Sequence, residues 1–270
     1  MPALRCAAPA VALASRTHPG CVREANEDHC ALFATEAHAG LLVADGVSGQ
    51  SGGEIASRMA VEITQREFER QDPSAPPQKR LYRAVQRANI EVYDLAQVVP
   101  ELRGMASTLT AVLMAEDELF AAHVGDCRLY LFRDKRLLQL TRDHTVSAER
   151  LRLGLLSKAA ARGHPGRAML TRALGRNLIA RADQLRRRTQ PQDLVLLCSD
   201  GVHGVLEDDE IASLCRFPSP EEVCERLLES AAERGAPDNM TAAAARVTRP
   251  VPAEPKGKSL LQALTRPWRR

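Results

Sequence analysis

The sequence predicts an α+β fold in which two antiparallel β-sheets pack as a central sandwich flanked by α-helices. Three observations predict it. Apolar strand-like segments and helix-periodic segments arrive in blocks rather than in strict alternation. Four consecutive short segments between 107 and 140 are separated by "AEDE", "GD" and "RDKR", turns that suit antiparallel hairpins. A chain of 270 residues with 44% hydrophobic content is long enough to bury one large core.

Taken in order, segments 10–17, 29–35 and 40–45 are short and apolar with turn signals between them, and read as strands. From Gly53 to about Arg70 the positions Ile55, Met59, Ile63 and Phe68 recur at helical spacing, and "QDPSAPP" breaks the helix. A second helix is expected from Gln78 to Val98, then strands at 107–114, 118–124, 127–133 and 136–140. Residues 145–170 are polar, Arg-rich and weakly helical, and Gly163, Pro165 and Gly166 suit a segment that can move. A strand at 193–199, helices near 207–215 and 219–234, and a last strand at 240–247 complete a single domain, 1–248. From 249 to 270 a Pro/Lys linker and the short basic run "SLLQALTRPWRR" read as a disordered extension.

Composition narrows the function. Aromatic residues make up 3% of the chain, so surfaces on which bases stack are scarce. The net charge of +3 is inflated by six Arg or Lys against one Glu from Arg249 onward, so nucleic acid is not the expected partner. The seven cysteines, Cys6, Cys21, Cys30, Cys127, Cys198, Cys215 and Cys224, form no C-x-x-C pair and fit reduced thiols in the cytoplasm. The apolar "CAAPAVALA" imitates a signal peptide, but it is short, contains Pro9 and leads straight into the first expected strand. No run approaches the ~18 apolar residues of a membrane span, and no integral membrane segment is expected.

The carboxylates carry the chemistry. An apolar run ends on Asp45-Gly46, a second ends on Asp200-Gly201, and Glu27, Asp28, Asp126 and Asp238 lie at other strand ends or tight turns. Singly, each Asp is an ordinary turn residue. Grouped at one sheet edge, they would repel one another and raise each other's pKa unless cations sat among them. An oxygen-only donor set suits Mg²⁺ or Mn²⁺ with several waters retained. The glycine after each Asp is expected to let the backbone turn sharply.

The flanking text resolves the choice. In order, "VREANED", "VADGVSGQSGGEIAS", "MASTLTAVLM", "AHVGDCRLYLF", "QLTRDHT", "LTRALG", "LVLLCSDGVHGVLEDDEI" and "APDNMTAAAARV" closely resemble the metal-dependent serine/threonine protein phosphatases of the PPM (2C) type, particularly compact bacterial members. The likeness spans about residues 10–248.

That resemblance implies a two-metal site at one end of the sandwich. It makes Asp45 the bridging ligand of two Mn²⁺ or Mg²⁺ ions, with Asp200 and Asp238 completing one ion and the Gly46 carbonyl binding the other. It gives Glu27 and Asp28 the acidic pair that ligates or orients metal-bound water, Asp126 a place with Asp200 at a third, looser ion, and Arg23 the grip on the substrate phosphate. Residues 145–170 correspond to the flap of bacterial relatives. The implied reaction is hydrolysis of phosphoserine or phosphothreonine by a metal-activated water, opposing a bacterial Ser/Thr kinase, in a cytoplasmic monomer. Many eukaryotic members carry His after the Asp-Gly pair as a leaving-group acid, whereas this chain has Val47, as many bacterial members also lack the His. His144 is expected to be structural or to anchor the flap, His203 to be a loop residue, Cys198 to be a core thiol, and Arg186, Arg187 and Arg188 to form a solvated face. A catalytically inert phosphosite-binding module is the competing class, but such modules typically lose the ligands that stand here as Asp45, Asp200 and Asp238.

Overall fold

The computed structural model describes residues 11–35, 37–47 and 52–248, so the linker and basic tail expected from 249 lie outside the described residues. β1 (Val11–His18), β11 (Met240–Val247), β10 (Leu194–Cys198), β7 (Arg128–Arg133) and β8 (Arg136–Gln139) form one sheet in that spatial order. The second sheet has the order β2 (Asp28–Ala34), β3 (Ala39–Val47), β5 (Leu109–Ala115), β6 (Glu118–Val124) and β9 (Asp183–Arg188), with β4 (Ala106–Ser107) added to the end of β3. All these pairings are antiparallel. The expected sandwich is present.

The two-residue period of a strand decides which side chains build which layer. Leu41 and Val43 of β3, Val112 of β5, Leu129 of β7, Leu197 of β10, and Ala243 and Ala245 of β11 meet between the sheets. Their neighbours point outward. Leu42, Ala44, Leu109 and Leu113 pack under α1 (Gly53–Arg70) and α2 (Pro77–Val98), while Leu194, Leu196, Ala242 and Ala244 pack with Val223, Cys224 and Leu227 of α7 (Pro220–Glu233). The four successive alanines of β11 are all fully buried, which suits a strand enclosed on both faces. Leu197 is fully buried too, and its truncation to Ala would cost about 2–5 kcal/mol.

Helix ends follow local chemistry. Pro77 opens α2 at a position where a missing N–H costs nothing. Ser219 caps α7 by accepting from Glu222 N, and α6 (Asp208–Leu214) begins with a reciprocal Glu207–Glu210 capping box. The weakly helical stretch resolves into α3 (Val146–Arg152) and α4 (Lys158–Arg162), each capped by a hydroxyl, Thr145 and Ser157.

Three expectations are corrected. β3 does not stop at Asp45-Gly46, because Gly46 and Val47 continue the ladder against Ser107 and Ala106. Asp200 does not end in a loop but opens a one-turn helix, α5 (Asp200–His203). β9 was absent from the expected elements: its residues Asp183–Arg188 are polar and almost all exposed, with Leu185 alone turned inward, so no apolar alternation marks them. The Arg186–Arg188 face is solvated as expected, and Arg186 pairs with Glu118 on β6 at 2.6 Å.

Candidate metal centre

Asp28 and Asp45 stand directly opposite one another in the β2–β3 ladder. Like charges at such a position destabilise a sheet. Both residues are nonetheless held in place. Asp45 N donates to Thr108 Oγ1 at 2.8 Å, and Asp45 O accepts from Thr108 N and Ser107 Oγ at 2.8 and 3.0 Å. Asp28 Oδ2 accepts from Ser199 Oγ at 2.6 Å, while Asp28 Oδ1 is buried with no hydrogen-bond partner.

The other sheet contributes Asp200 at the start of α5 and Asp238 just before β11, and Asp126 lies in the β6–β7 turn that joins the two sheets. The glycines beside the first two acids serve a different purpose from the sharp turn expected. Neither Gly46 nor Gly201 has a positive φ. A Cβ on Gly46 would instead collide with the backbone oxygen of Gly53, and one on Gly201 with the backbone oxygen of Asn239. They let two chain segments touch at the site.

Arg23 and Glu27 come from the loop between β1 and β2. Asn239 clamps this loop: its Nδ2 donates to Pro19 O and Ala25 O at 2.8 and 2.9 Å, and its Oδ1 accepts from Glu27 N at 2.8 Å. The same residue's backbone N–H donates to Asp238 Oδ1 at 2.9 Å. One residue thus fixes Glu27 relative to Asp238. Arg23 Nη2 donates to Asp238 Oδ2 at 2.9 Å, so two residues expected to act on phosphate and metal are paired with each other. The Glu27 carboxyl lies against the N-terminus of α1, where a Cβ on Gly53 would come within 2.8 Å of it, and a helix N-terminus favours that negative charge.

The electrostatics confirm that the five aspartates share one region. Burial, and then the charges of Asp28, Asp200, Asp126 and Asp238, push the Asp45 carboxyl well above the ordinary carboxylate range. Burial raises Asp28 to about 7, with Asp200 and Asp238 adding to it, against the hydrogen bond from Ser199. Asp200 is raised to about 6 by burial and then Asp238, and Asp126 is raised by burial and then Asp200 and Asp143. Four carboxyl groups that resist ionising, and one buried oxygen without a donor, fit divalent cations as their partners. Among the described residues no three His, Cys, Asp or Glu side chains close into a finished metal cage. That is compatible with Mg²⁺ or Mn²⁺, which take one or two carboxylates and keep water for the rest.

A cavity of about 150 Å³ opens beside Asp126 and Asp200, walled by Arg128, Asp143, His203 and, from the 145–170 segment, Arg162 and Arg167. His203 is corrected from a loop residue to a buried member of α5, kept neutral by burial, whose Nε2–H donates to Asp126 O at 3.0 Å. His144 accepts from Gly125 N at 3.1 Å through Nδ1, and its carbonyl accepts from Thr171 N at 2.8 Å. It therefore ties the turn of Asp126 to the far end of the 145–170 segment, as expected of an anchor. Cys198 is a fully buried core thiol whose pKa burial pushes far up. Ser199, Thr108 and Asn239 lie inside the resembling motifs, but nothing in their residue type marks them as site residues. Ser199 and Asn239 adjoin Asp200 and Asp238, which is the one signal that pointed to them.

The Protein phosphatase 2C family profile matches residues 22–243. The serine/threonine protein phosphatase PstP of Mycobacterium tuberculosis is 34% identical over 234 residues, covering 87% of this chain and 44% of that protein, so the chain spans under half the length of this relative. The serine/threonine phosphatase stp of Listeria monocytogenes is 32% identical over 231 residues, covering 84% of this chain and 92% of its own length. The crystal structure of the PstP catalytic domain in complex with two manganese ions superposes with a TM-score of 0.77 at 32% identity, covering 88% of this chain and 99% of that one.

Proposed function

Because the chain belongs to the protein phosphatase 2C family, we propose that it is a metal-dependent protein serine/threonine phosphatase that hydrolyses phosphoserine and phosphothreonine. The observation that carries this reading is the convergence of Asp28, Asp45, Asp126, Asp200 and Asp238, each raised in pKa or adding to the raised pKa of another. Asp45 would bridge two ions, Asp200 and Asp238 would complete one, and the Gly46 carbonyl would serve the other. Asp126 with Asp200 would hold a third, looser ion beside the small cavity. Bound Mn²⁺ or Mg²⁺ supplies Lewis acidity, lowering the pKa of water and drawing electron density from the phosphoryl group.

The chain's own residues supply position and charge. Glu27 and Asp28 would accept hydrogen bonds from the attacking water and fix its direction. Arg23 would offer two parallel N–H donors to the phosphate oxygens, a match of planar shapes that lysine lacks. Its exposure and its short reach from Asp238 support that role. No side chain is required to become phosphorylated, and among the described residues no cysteine stands in a phosphate-cradling loop, with Cys198 and Cys127 both buried.

The same reading includes a cognate Ser/Thr kinase that supplies the phosphoprotein substrates, a cytoplasmic setting and a monomeric enzyme. Six free cysteines among the described residues support the reducing compartment. That a single chain provides every candidate ligand supports the monomer. Among the described residues no helix is long and apolar enough to cross a membrane. The test is phosphate release from a phosphothreonine peptide with Mn²⁺ present and with excess EDTA. Release that persists in EDTA overturns the metal-dependent reading.

A further inference from the structure

Positive charge is concentrated in two places, the tail from Arg249 onward and the stretch that follows Asp143. Residues 145–181 contain eight Arg or Lys and one Glu, whereas the whole chain carries +3, so everything else sums to a negative charge. The acids that bracket the stretch are already engaged, Asp143 with Arg128 at 2.8 Å and Asp183 with Arg172 at 2.8 Å. Several of its cations are not neutralised. Arg167 and Arg176 donate to the backbone oxygens of Gly204 and Leu170, and the exposed Arg181 guanidinium has no partner among the described residues.

The same stretch holds six of the nine large exposed apolar side chains among the described residues, with Ile179 68% and Leu178 58% exposed. These two, with Arg172, Arg181, Val124 and Glu149, whose charge is paired with Arg152 at 2.9 Å, line a groove of about 640 Å³. Arg162 and Arg167 of the same stretch wall the cavity beside Asp126 and Asp200, and Val124 of the groove precedes Asp126 by two residues.

We propose that residues 145–181, with the Arg181–Ile179 groove at their end, dock an acidic protein segment carrying an apolar side chain close to the phosphorylated residue. The proposal rests on the phosphatase reading and names the class of substrate that reading leaves open. Uncompensated guanidinium groups attract and orient acidic side chains, and the apolar floor of the groove takes an aliphatic one. Nucleic acid fits less well, because residues 145–181 contain no Phe, Tyr or Trp on which a base stacks. A membrane surface fits less well, because α3 and α4 are seven and five residues long and the apolar residues Leu178 and Ile179 line a concavity.

The test uses two fluorescent phosphothreonine peptides with the same core, one flanked by Glu and Leu and one by Lys and Ser. Their anisotropy is titrated with the full chain in EDTA, so that turnover does not intervene. The acidic, apolar peptide binds at least about tenfold tighter, and the preference fades as salt rises. Arg176→Glu with Arg181→Glu reverses the preference, Arg176→Gln with Arg181→Gln abolishes it, and Leu178→Ser with Ile179→Ser weakens the acidic peptide alone. In Mn²⁺ these variants keep wild-type turnover of nitrophenyl phosphate, which needs no docking. Equal binding of the two peptides, an unchanged preference in the charge-reversed chain, or tighter binding to phosphatidylglycerol vesicles or an oligonucleotide overturns the docking surface. Absence of nitrophenyl phosphate turnover by the wild-type chain in Mn²⁺ overturns the phosphatase reading instead, and the anisotropy still decides the docking.

Discussion

Ser199 Oγ holds one oxygen of Asp28 at 2.6 Å and leaves the other oxygen buried without a donor. The carboxyl is thereby aimed but not satisfied, a site that costs stability until a cation arrives.

Removing that charge should stabilise the metal-free chain in a pH-dependent way. Burial raises the folded Asp28 pKa from 3.8 to about 7, so between those values the folded state holds a proton the unfolded state has released. Its contribution is fully present below about 4 and is lost as pH rises through about 7. In EDTA, the melting temperature of Asp28→Asn should exceed wild type by a gap that widens from pH 5 to pH 8, reaching at least about 2–4 °C, the shift that 1 kcal/mol gives a domain of this size. With Mn²⁺ the order should invert. A gap independent of pH would mean that Asp28 is not strained.

Arg23 and Asp238 neutralise one another at 2.9 Å, but both are substantially exposed, so the pair is worth only about 0–1 kcal/mol. Arg23→Ala should melt like wild type and bind Mn²⁺ at least as tightly, because Asp238 loses a competing cation. KM for a phosphopeptide should rise on the order of tenfold. An unchanged KM would remove Arg23 from phosphate binding.

Asp45→Asn and Asp200→Asn should fold, since each relieves repulsion among buried acids. Calorimetric Mn²⁺ binding and phosphopeptide turnover should both collapse, the latter by about 10²-fold or more. Wild-type turnover in either variant would place the chemistry elsewhere.

Asp126→Ala separates two kinds of substrate. A serine alkoxide needs a proton to depart, whereas nitrophenolate leaves unaided. Val47 is no acid, which leaves the cavity between Asp126 and Asp200 as the place for a proton source. The variant should retain two bound ions and lose phosphopeptide hydrolysis much more than nitrophenyl phosphate hydrolysis. Equal losses would reduce Asp126 to a general electrostatic role.

Gly201→Ala should be costly although its backbone conformation suits any residue. The added methyl meets the backbone oxygen of Asn239, which no rotamer change relieves, and a penalty of about 1–3 kcal/mol follows, with weaker Mn²⁺ binding because Asp238 moves with its neighbour. A variant as stable as wild type would show that the two segments separate freely.

The parts of this molecule legible in the sequence were those with a repeating physical signal. β6 and β11 were bounded correctly because their ends coincide with turn residues, and α1 because its apolar stripe is regular. β9 escaped because an edge strand needs only one inward residue, here Leu185. The candidate acids were legible as a set because each sits in a distinctive short motif. What fixes them was not: Ser199, Thr108 and Asn239 are common polar residues whose importance comes from partners distant in the chain, such as Thr241, 42 residues from Ser199, and Pro19, 220 residues from Asn239. Gly46 and Gly201 were read as turn formers because close backbone approach leaves no local trace.

β1 has its neighbour in β11, the last strand of the domain, and β11 sits between it and the rest of its sheet. A ribosome emits residues at about 5–20 per second, so the first strand waits on the order of ten seconds or more for its partner. During that interval the aspartates at 28, 45, 126 and 200 exist without Asp238, and Asn239 has not yet clamped the loop that carries Glu27. Nascent and prematurely terminated chains therefore lack the assembled centre. The same topology sets a cost in quality control: a chain stopped before Met240 leaves Val11–His18 with an open edge, a surface that invites pairing with another copy.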